Sequence, residues 1–351
     1  MTLTAVFIAG LSLALAAGFS SLISLPSVVV GFGLGILLSH GKAVRRLLDG
    51  VLQRRDPDAA ALQTDSYNYG LEHELLNLRK PETLWLNMGF WRDTDDFVTA
   101  CRALADEVIR PLDIKSGARV LDCGIGCGDQ DLHLLSLHST ATVTAVTYEP
   151  QQARIAAARV ADAGLAGAIS VYTGDAADPS TWTRAGSSTS IPPQPFRLTA
   201  ESLDALLALD SCYHYSTRAS WLATLMPALK VRARFGCTDL VLGVGYATAS
   251  ARTRILLRAA LWYAGAPWVN FHEREEYAQR LRDAGLKDVV VTVVSEHVFP
   301  RFGEFVKRHK ASVGGLVDSG LWMRYEGAAR LFGWLWKEQL VDFVVAHGTK
   351  A

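Results

Sequence analysis

Two short runs in this chain carry residue types that could do chemistry. The first is Asp122-Cys123-Gly124-Ile125-Gly126-Cys127-Gly128-Asp129-Gln130, which follows Val120 and Leu121, the end of a buried parallel strand. Alternate glycines let the backbone turn sharply and come close to a ligand, because no Cβ stands in the way. In open α/β sheets ligands sit beyond the carboxyl ends of the strands, where this loop falls. Asp129 stands where the dinucleotide form Gly-x-Gly-x-x-Gly takes a small residue, so the spacing points away from nicotinamide and flavin. The second run is Ala208-Leu209-Asp210-Ser211-Cys212-Tyr213-His214-Tyr215, followed later by Phe235-Gly236-Cys237-Thr238-Asp239. A histidine past one strand end can take a hydroxyl proton, and an acid at the next can fix its tautomer and stabilise the imidazolium.

The glycine run resembles the first motif of class I S-adenosylmethionine-dependent methyltransferases. The resemblance is to the small-molecule branch, which includes ubiquinone, tocopherol, sterol and natural-product sugar methyltransferases. Leu86-Asn87-Met88-Gly89-Phe90-Trp91 is similar to the Asn-x-Gly-Tyr-Trp element that covers the bound cofactor in that branch. The resemblance spans about residues 67 to 346 and implies S-adenosylmethionine as cofactor. It implies that Asp122 and the backbone at Gly124, Gly126 and Gly128 hold the methionine end, with Gln130 and Asp210 as further cofactor contacts. Where most members carry an acid for the ribose, this chain has Thr147, and Glu149 comes two residues later. Some members use Thr and a nearby Gln, which makes Gln152 a candidate. Glu149 is either a ribose ligand or an acid opposing a helix dipole. Asp175 matches the acid that meets the adenine amino group, or it caps a turn.

His214 and Asp239 are similar to the His/Asp arrangement of sugar and other natural-product O-methyltransferases, whose strand order places the two strand ends side by side. The usual Pro-Gly-Gly turn before the fifth strand is replaced by Val231-Arg232-Ala233, which leaves that strand's register to be inferred.

The elements that must position these groups alternate from Ala118 onward, as a doubly wound sheet requires. Strands are expected at 118–123, 142–147, 168–173, 204–210, 234–239, 288–294 and 341–346, giving a Rossmann-like, mostly parallel seven-stranded α/β sheet. Ser187 to Pro195 reads as a surface loop. An aromatic insert at 296–337 suits a substrate lid or a second membrane contact, or else a pair of helices on the sheet. A helical cap is expected at 64–110, ahead of the cofactor fold within a methyltransferase domain at 64–351.

The 351 residues carry 35 basic and 35 acidic side chains, so no global field draws the chain to nucleic acid. The five cysteines show no zinc spacing, and no metal is expected. From Thr2 to Ser39 there is no charged residue, more than the roughly 20 apolar residues a span needs. Residues 1–40 are therefore expected to be a membrane anchor, as one span, a span with a re-entrant piece, or a hairpin. A basic amphipathic connector at 41–63 would keep the catalytic domain in the cytosol, on the endoplasmic reticulum if the source is eukaryotic. The lipid bilayer and a small lipophilic substrate are the expected partners, with the oligomeric state open. The sequence thus reads as a membrane-anchored enzyme that O-methylates a small lipophilic acceptor. The alternatives are C-methylation of a quinone- or sterol-like acceptor, or a non-catalytic membrane-tethered protein that has kept the fold.

Overall fold

Eight strands form one mixed sheet in the computed structural model, which describes residues 83–186, 196–313 and 319–351. In chain order they are β1 (Arg119–Cys123), β2 (Thr142–Thr147), β3 (Ile169–Thr173), β4 (Thr183–Arg184), β5 (Leu203–Ala208), β6 (Leu229–Leu242), β7 (Leu286–Val293) and β8 (Val341–Lys350). Their order across the sheet is β4-β3-β2-β1-β5-β6-β8-β7. The helices are α1 (Phe97–Ile109), α2 (Asp129–Leu137), α3 (Pro150–Asp162), α4 (Arg218–Leu225), α5 (Val244–Thr248), α6 (Ala251–Tyr263), α7 (Arg274–Asp283), α8 (Ser295–Val313) and α9 (Ser319–Lys337).

The central strands read as unbroken apolar runs because both of their faces are covered. Val120, Ala145 and Leu207 feed one buried cluster, and their neighbours Leu121, Val146 and Leu206 feed a second. Side chains alternate along a strand, so consecutive residues supply opposite faces. The chain winds outward from β1 through β2 to β3, then returns to β5 on the other side of β1. The crevice at that reversal, between the carboxyl ends of β1 and β5, is where such sheets bind ligands.

Two expectations are corrected here. The sheet has eight strands, not seven, because the chain after β3 turns back and pairs Thr183 and Arg184 antiparallel with Thr173 and Tyr172. Trp182 anchors that hairpin by stacking on Phe196 at 4.9 Å. The second correction concerns the membrane. Among the described residues no helix is long and apolar enough to cross a bilayer. The two longest, α8 and α9, have 19 residues each. They carry Glu296, Arg301, Glu304, Lys307, Arg308 and Lys310, and Arg324, Glu326, Arg330 and Lys337, more charge than hydrocarbon accepts. The transmembrane segment, the lipid bilayer as partner and the membrane-anchored, cytosol-facing location are corrected accordingly. The runs 1–40 and 41–63 on which they were placed lie outside the described residues, as do the cap residues 64–82 and the Ser187–Pro195 loop.

The aromatic insert forms the helix pair α8 and α9. Phe299, Phe302, Phe305 and Val306 of α8 are buried, with Phe299 edge-on to Phe343 of β8 and Phe305 stacked on Phe97 of α1.

β6 differs most from expectation, with 14 residues and an end at Leu242. Its pairing with β5 shifts register between Leu203 and Ala205, across the segment in which Arg232 adopts φ +68°. Val231-Arg232-Ala233 thus forms a bulge inside the strand, not a turn before it.

Candidate active site

The glycine loop leaves β1 and is pinned at once to β2, with the amides of Gly124 and Ile125 donating to the Val146 carbonyl at 2.8 and 3.2 Å. Asp129, the residue that breaks the dinucleotide pattern, holds the loop in place. Its carboxylate accepts two hydrogen bonds from Arg159 of α3, at 2.6 and 2.7 Å, and one from the Leu84 amide at 2.9 Å. Arg159 also donates to the Cys127 carbonyl at 2.8 Å. A bidentate arginine thus fixes the loop, the start of α2 and the strap ahead of α1 together.

Asp122 is fully buried, and Gln130 donates to both of its carboxylate oxygens at 2.8 and 2.7 Å. Burial raises Asp122 to about 7, partly offset by Asp131 and Gln130. Asp131, in the first turn of α2, is also fully buried, and burial followed by the charge of Asp122 pushes it up further. Two buried carboxyls this close do not both ionise at neutral pH.

At the end of β2 the Thr147 hydroxyl donates to Gln152 Oε1 at 3.0 Å, and both side chains are buried. Glu149 is the N-cap residue of α3 with extended backbone, and its side chain makes no capping bond. Asp175 caps its own turn, accepting from the Ala177 amide at 2.8 Å.

Asp210 stands just past β5 with φ +53°. One oxygen accepts from the Met88 amide at 2.8 Å and the other from the Tyr213 hydroxyl at 2.7 Å. Burial raises it to about 6 against those two bonds. Through Met88 it draws the strap down beside the glycine loop, where Leu86 faces Gly126. The strap is held by Asn87, which accepts from the Gly89 amide at 2.9 Å and donates to the Cys101 carbonyl at 3.2 Å.

The turn after β5 is tied to the end of β1. The hydroxyls of Ser211 and Tyr215 each donate to the Cys123 carbonyl at 3.0 Å. His214 lies in this turn, its ring 4.3 Å from that of Tyr213. Its Nδ1 is 3.1 Å from the Gly265 carbonyl. A carbonyl only accepts, so Nδ1 carries the hydrogen and Nε2 carries the lone pair of the neutral ring. Burial holds the imidazole below its ordinary range, partly offset by the Gly265 bond.

The structure does not join His214 to Asp239. β6 runs three residues past Asp239, which pairs with Val344 of β8 inside the sheet instead of ending at the rim. Its carboxylate is fully buried, paired with Arg218 and accepting from Tyr277 at 3.0 Å and from the Leu240 amide at 2.8 Å. The β6 residue that reaches the crevice is its neighbour Thr238, whose hydroxyl accepts from the Asp210 amide at 2.6 Å. The sequence pointed to the right strand and the wrong one of its two alternating faces. Gly265 and Asn270, which hold the His214 turn, carried no signal, since they lie more than fifty residues away in the chain.

No family model matches the chain. It is 26% identical over 278 residues, covering 77% of this chain and 84% of the relative, to erythromycin 3''-O-methyltransferase of Saccharopolyspora erythraea. Among solved structures it is similar to the 4+2 cyclase SpnF, with TM-score 0.54 and 20% identity over 76% of this chain and 87% of that one. It is also similar to geranyl diphosphate C-methyltransferase from Streptomyces coelicolor A3(2), with TM-score 0.54 and 14% identity over 73% and 78% of the two chains. At these identities the structural likenesses show the fold, which is that of the class I methyltransferases.

Proposed function

We propose that this chain, a class I S-adenosylmethionine-dependent methyltransferase acting on a small molecule, methylates a hydroxyl of a lipophilic acceptor, with His214 as the general base. The bound cofactor supplies an electrophilic methyl group on a sulfonium. The residues present suit it. Asp122 is a buried carboxylate oriented by Gln130, fit to face an ammonium at the methionine end. Thr147 and Gln152 form the polar pair at the ribose position, with Glu149 beside them, and Asp175 stands beyond β3 for the adenine. Leu86 lies against Gly126 with apolar surface, which supports a lipophilic acceptor.

One observation carries the oxygen reading: the Gly265 carbonyl fixes the His214 tautomer that leaves Nε2 able to accept a proton. Burial keeps that ring neutral at pH 7, the form a base needs. When Nε2 takes the hydroxyl proton, the Nδ1 bond to Gly265 strengthens and stabilises the imidazolium. The sequence relative's name as an O-methyltransferase supports the same reading.

The test is transfer from methyl-labelled cofactor to a panel of small alcohols and phenols, run beside the same compounds with the hydroxyl blocked as an ether. Label on oxygen, lost with the blocked compounds, is expected. Label on carbon, or undiminished transfer to the blocked compounds, would overturn the reading.

Cofactor affinity should also depend on pH. Ionised Asp122 favours a cationic ligand and neutral Asp122 does not, so binding should tighten as pH rises through about 7 and release a proton. Calorimetry in buffers of different ionisation enthalpy measures that proton directly. Affinity flat from pH 6 to 8 would remove Asp122 from the ammonium site.

A further inference from the structure

The turn that carries His214 is tied on one side to the Cys123 carbonyl of β1 and is gripped on the other by a distant segment, the stretch from Gly265 to Asn270 between α6 and α7. Gly265 supplies the carbonyl that meets Nδ1 of the ring. Asn270, 2% exposed, supplies the rest of the clamp. Its side-chain amide donates to the Tyr213 carbonyl at 3.2 Å and to the Tyr215 carbonyl at 2.7 Å, the residues on either side of His214. Its oxygen accepts from the Arg218 amide at 2.9 Å, where α4 begins. One side chain thus bonds to three points of the backbone between 213 and 218. Its own segment is anchored by Trp268, which stacks on Phe271 and carries the Arg258 guanidinium over its ring at 4.5 Å.

We propose that Asn270 is the positioning residue for His214, holding the turn so that Nδ1 keeps its bond to Gly265 and Nε2 stays directed to the acceptor. The inference rests on His214 being the base. It follows from geometry: the ring nitrogen and the two flanking carbonyls are gripped by one short segment, so a shift of that segment moves ring and backbone together. The arrangement also fixes the amide's orientation, since two carbonyls demand the NH₂ and the Arg218 amide demands the oxygen. Around the ring, Tyr213 is the titratable neighbour on its own turn, Asp210 is bonded to that tyrosine, and Arg218 and Asp239 behind the turn are bonded to each other.

The discriminating variant is Asn270→Asp, which keeps the size and the acceptor for Arg218 but sets an oxygen against two carbonyls. Expected is a fall in kcat of about 10²-fold, the scale of a misplaced reacting group, with cofactor affinity unchanged. The acid limb of the kcat profile should move up toward the ordinary imidazole value as the loosened ring meets water. In protein labelled with ¹⁵N-histidine, the His214 signals should shift away from the Nδ1–H tautomer. Asn270→Ala, which removes the clamp without adding repulsion, should show smaller changes in the same direction and serves if the Asp variant does not fold. An unchanged tautomer and an unmoved acid limb in a folded variant would overturn the proposal, whatever happens to kcat. If His214→Ala itself keeps full turnover, the base assignment fails first. If His214→Ala is slow while Asn270→Asp matches wild type, only the positioning role fails.

Discussion

His214→Ala is expected to lower kcat by about 10²- to 10⁴-fold, the usual contribution of a general base, while cofactor affinity stays as in the wild type. The ring is not part of the glycine loop, and its Nδ1 bonds to the Gly265 carbonyl. Wild-type turnover should rise with pH to a plateau, because only the neutral ring accepts a proton. Burial depresses the imidazole, so the rise should be centred below the ordinary value of about 6.5. The sign for stability is the same: a depressed histidine favours the fold above its unfolded pKa, and that contribution is lost as pH falls through the folded one. The profile and the calorimetric affinity together check the assignment. Full turnover in a folded His214→Ala protein would move the base elsewhere or make the acceptor a carbon. Asp239→Asn is a useful contrast. Its carboxylate compensates buried Arg218, so that change should lower melting temperature without moving the acid limb.

Gly124→Ala should abolish measurable cofactor binding, whereas Gly126→Ala should weaken it by only about tenfold. The motif treats the two glycines alike, and the structure does not. At Gly124, φ is +89° and a Cβ would come within 2.4 Å of the Ser211 Cβ and 2.5 Å of its hydroxyl oxygen. Ser211 cannot yield cheaply, because it ties the His214 turn to the Cys123 carbonyl. Backbone strain of about 1–2 kcal/mol adds to overpacking of about 1–3 kcal/mol, so the loop must deform. At Gly126, φ is +56° and the new Cβ would meet Leu86 Cδ1 at 2.7 Å, the end of a side chain that can rotate. There the strain of about 1–2 kcal/mol stands nearly alone. Calorimetric titration of the two variants, with melting curves to establish folding, checks the difference. Equal losses at both positions would mean that the Ser211 contact does not hold the loop.

The glycine loop was legible in the sequence because its information is local. Three residues that must turn and leave space between a strand and a helix are three glycines, and each adopts positive φ. The strands were legible for a similar reason: apolar runs such as Val120-Leu121 are set by burial on both faces. The Thr147 and Gln152 pair could be proposed because both residues belong to one β-to-α turn, five positions apart.

What sequence could not supply was length and register over distance. Nothing local shows that β6 continues to Leu242, because its end is set by nine paired positions on β8, about a hundred residues later. Those three extra residues bury Asp239 against Arg218 and Tyr277 and leave Thr238 facing Asp210. The insert is a second case. The spacing of Phe299, Phe302 and Phe305 marks a helix with one apolar face, yet it fits a lid, a membrane contact or the core equally well. Only the positions of Phe97 and Phe343 place that face inside the protein. The sequence by itself determined the glycine loop and the Rossmann-like character of the sheet, since these depend on backbone freedom and on burial along a few consecutive residues. Tertiary structure alone decided what orients His214: a carbonyl at Gly265 and an amide at Asn270 act through hydrogen bonds whose partners meet only when the chain has folded.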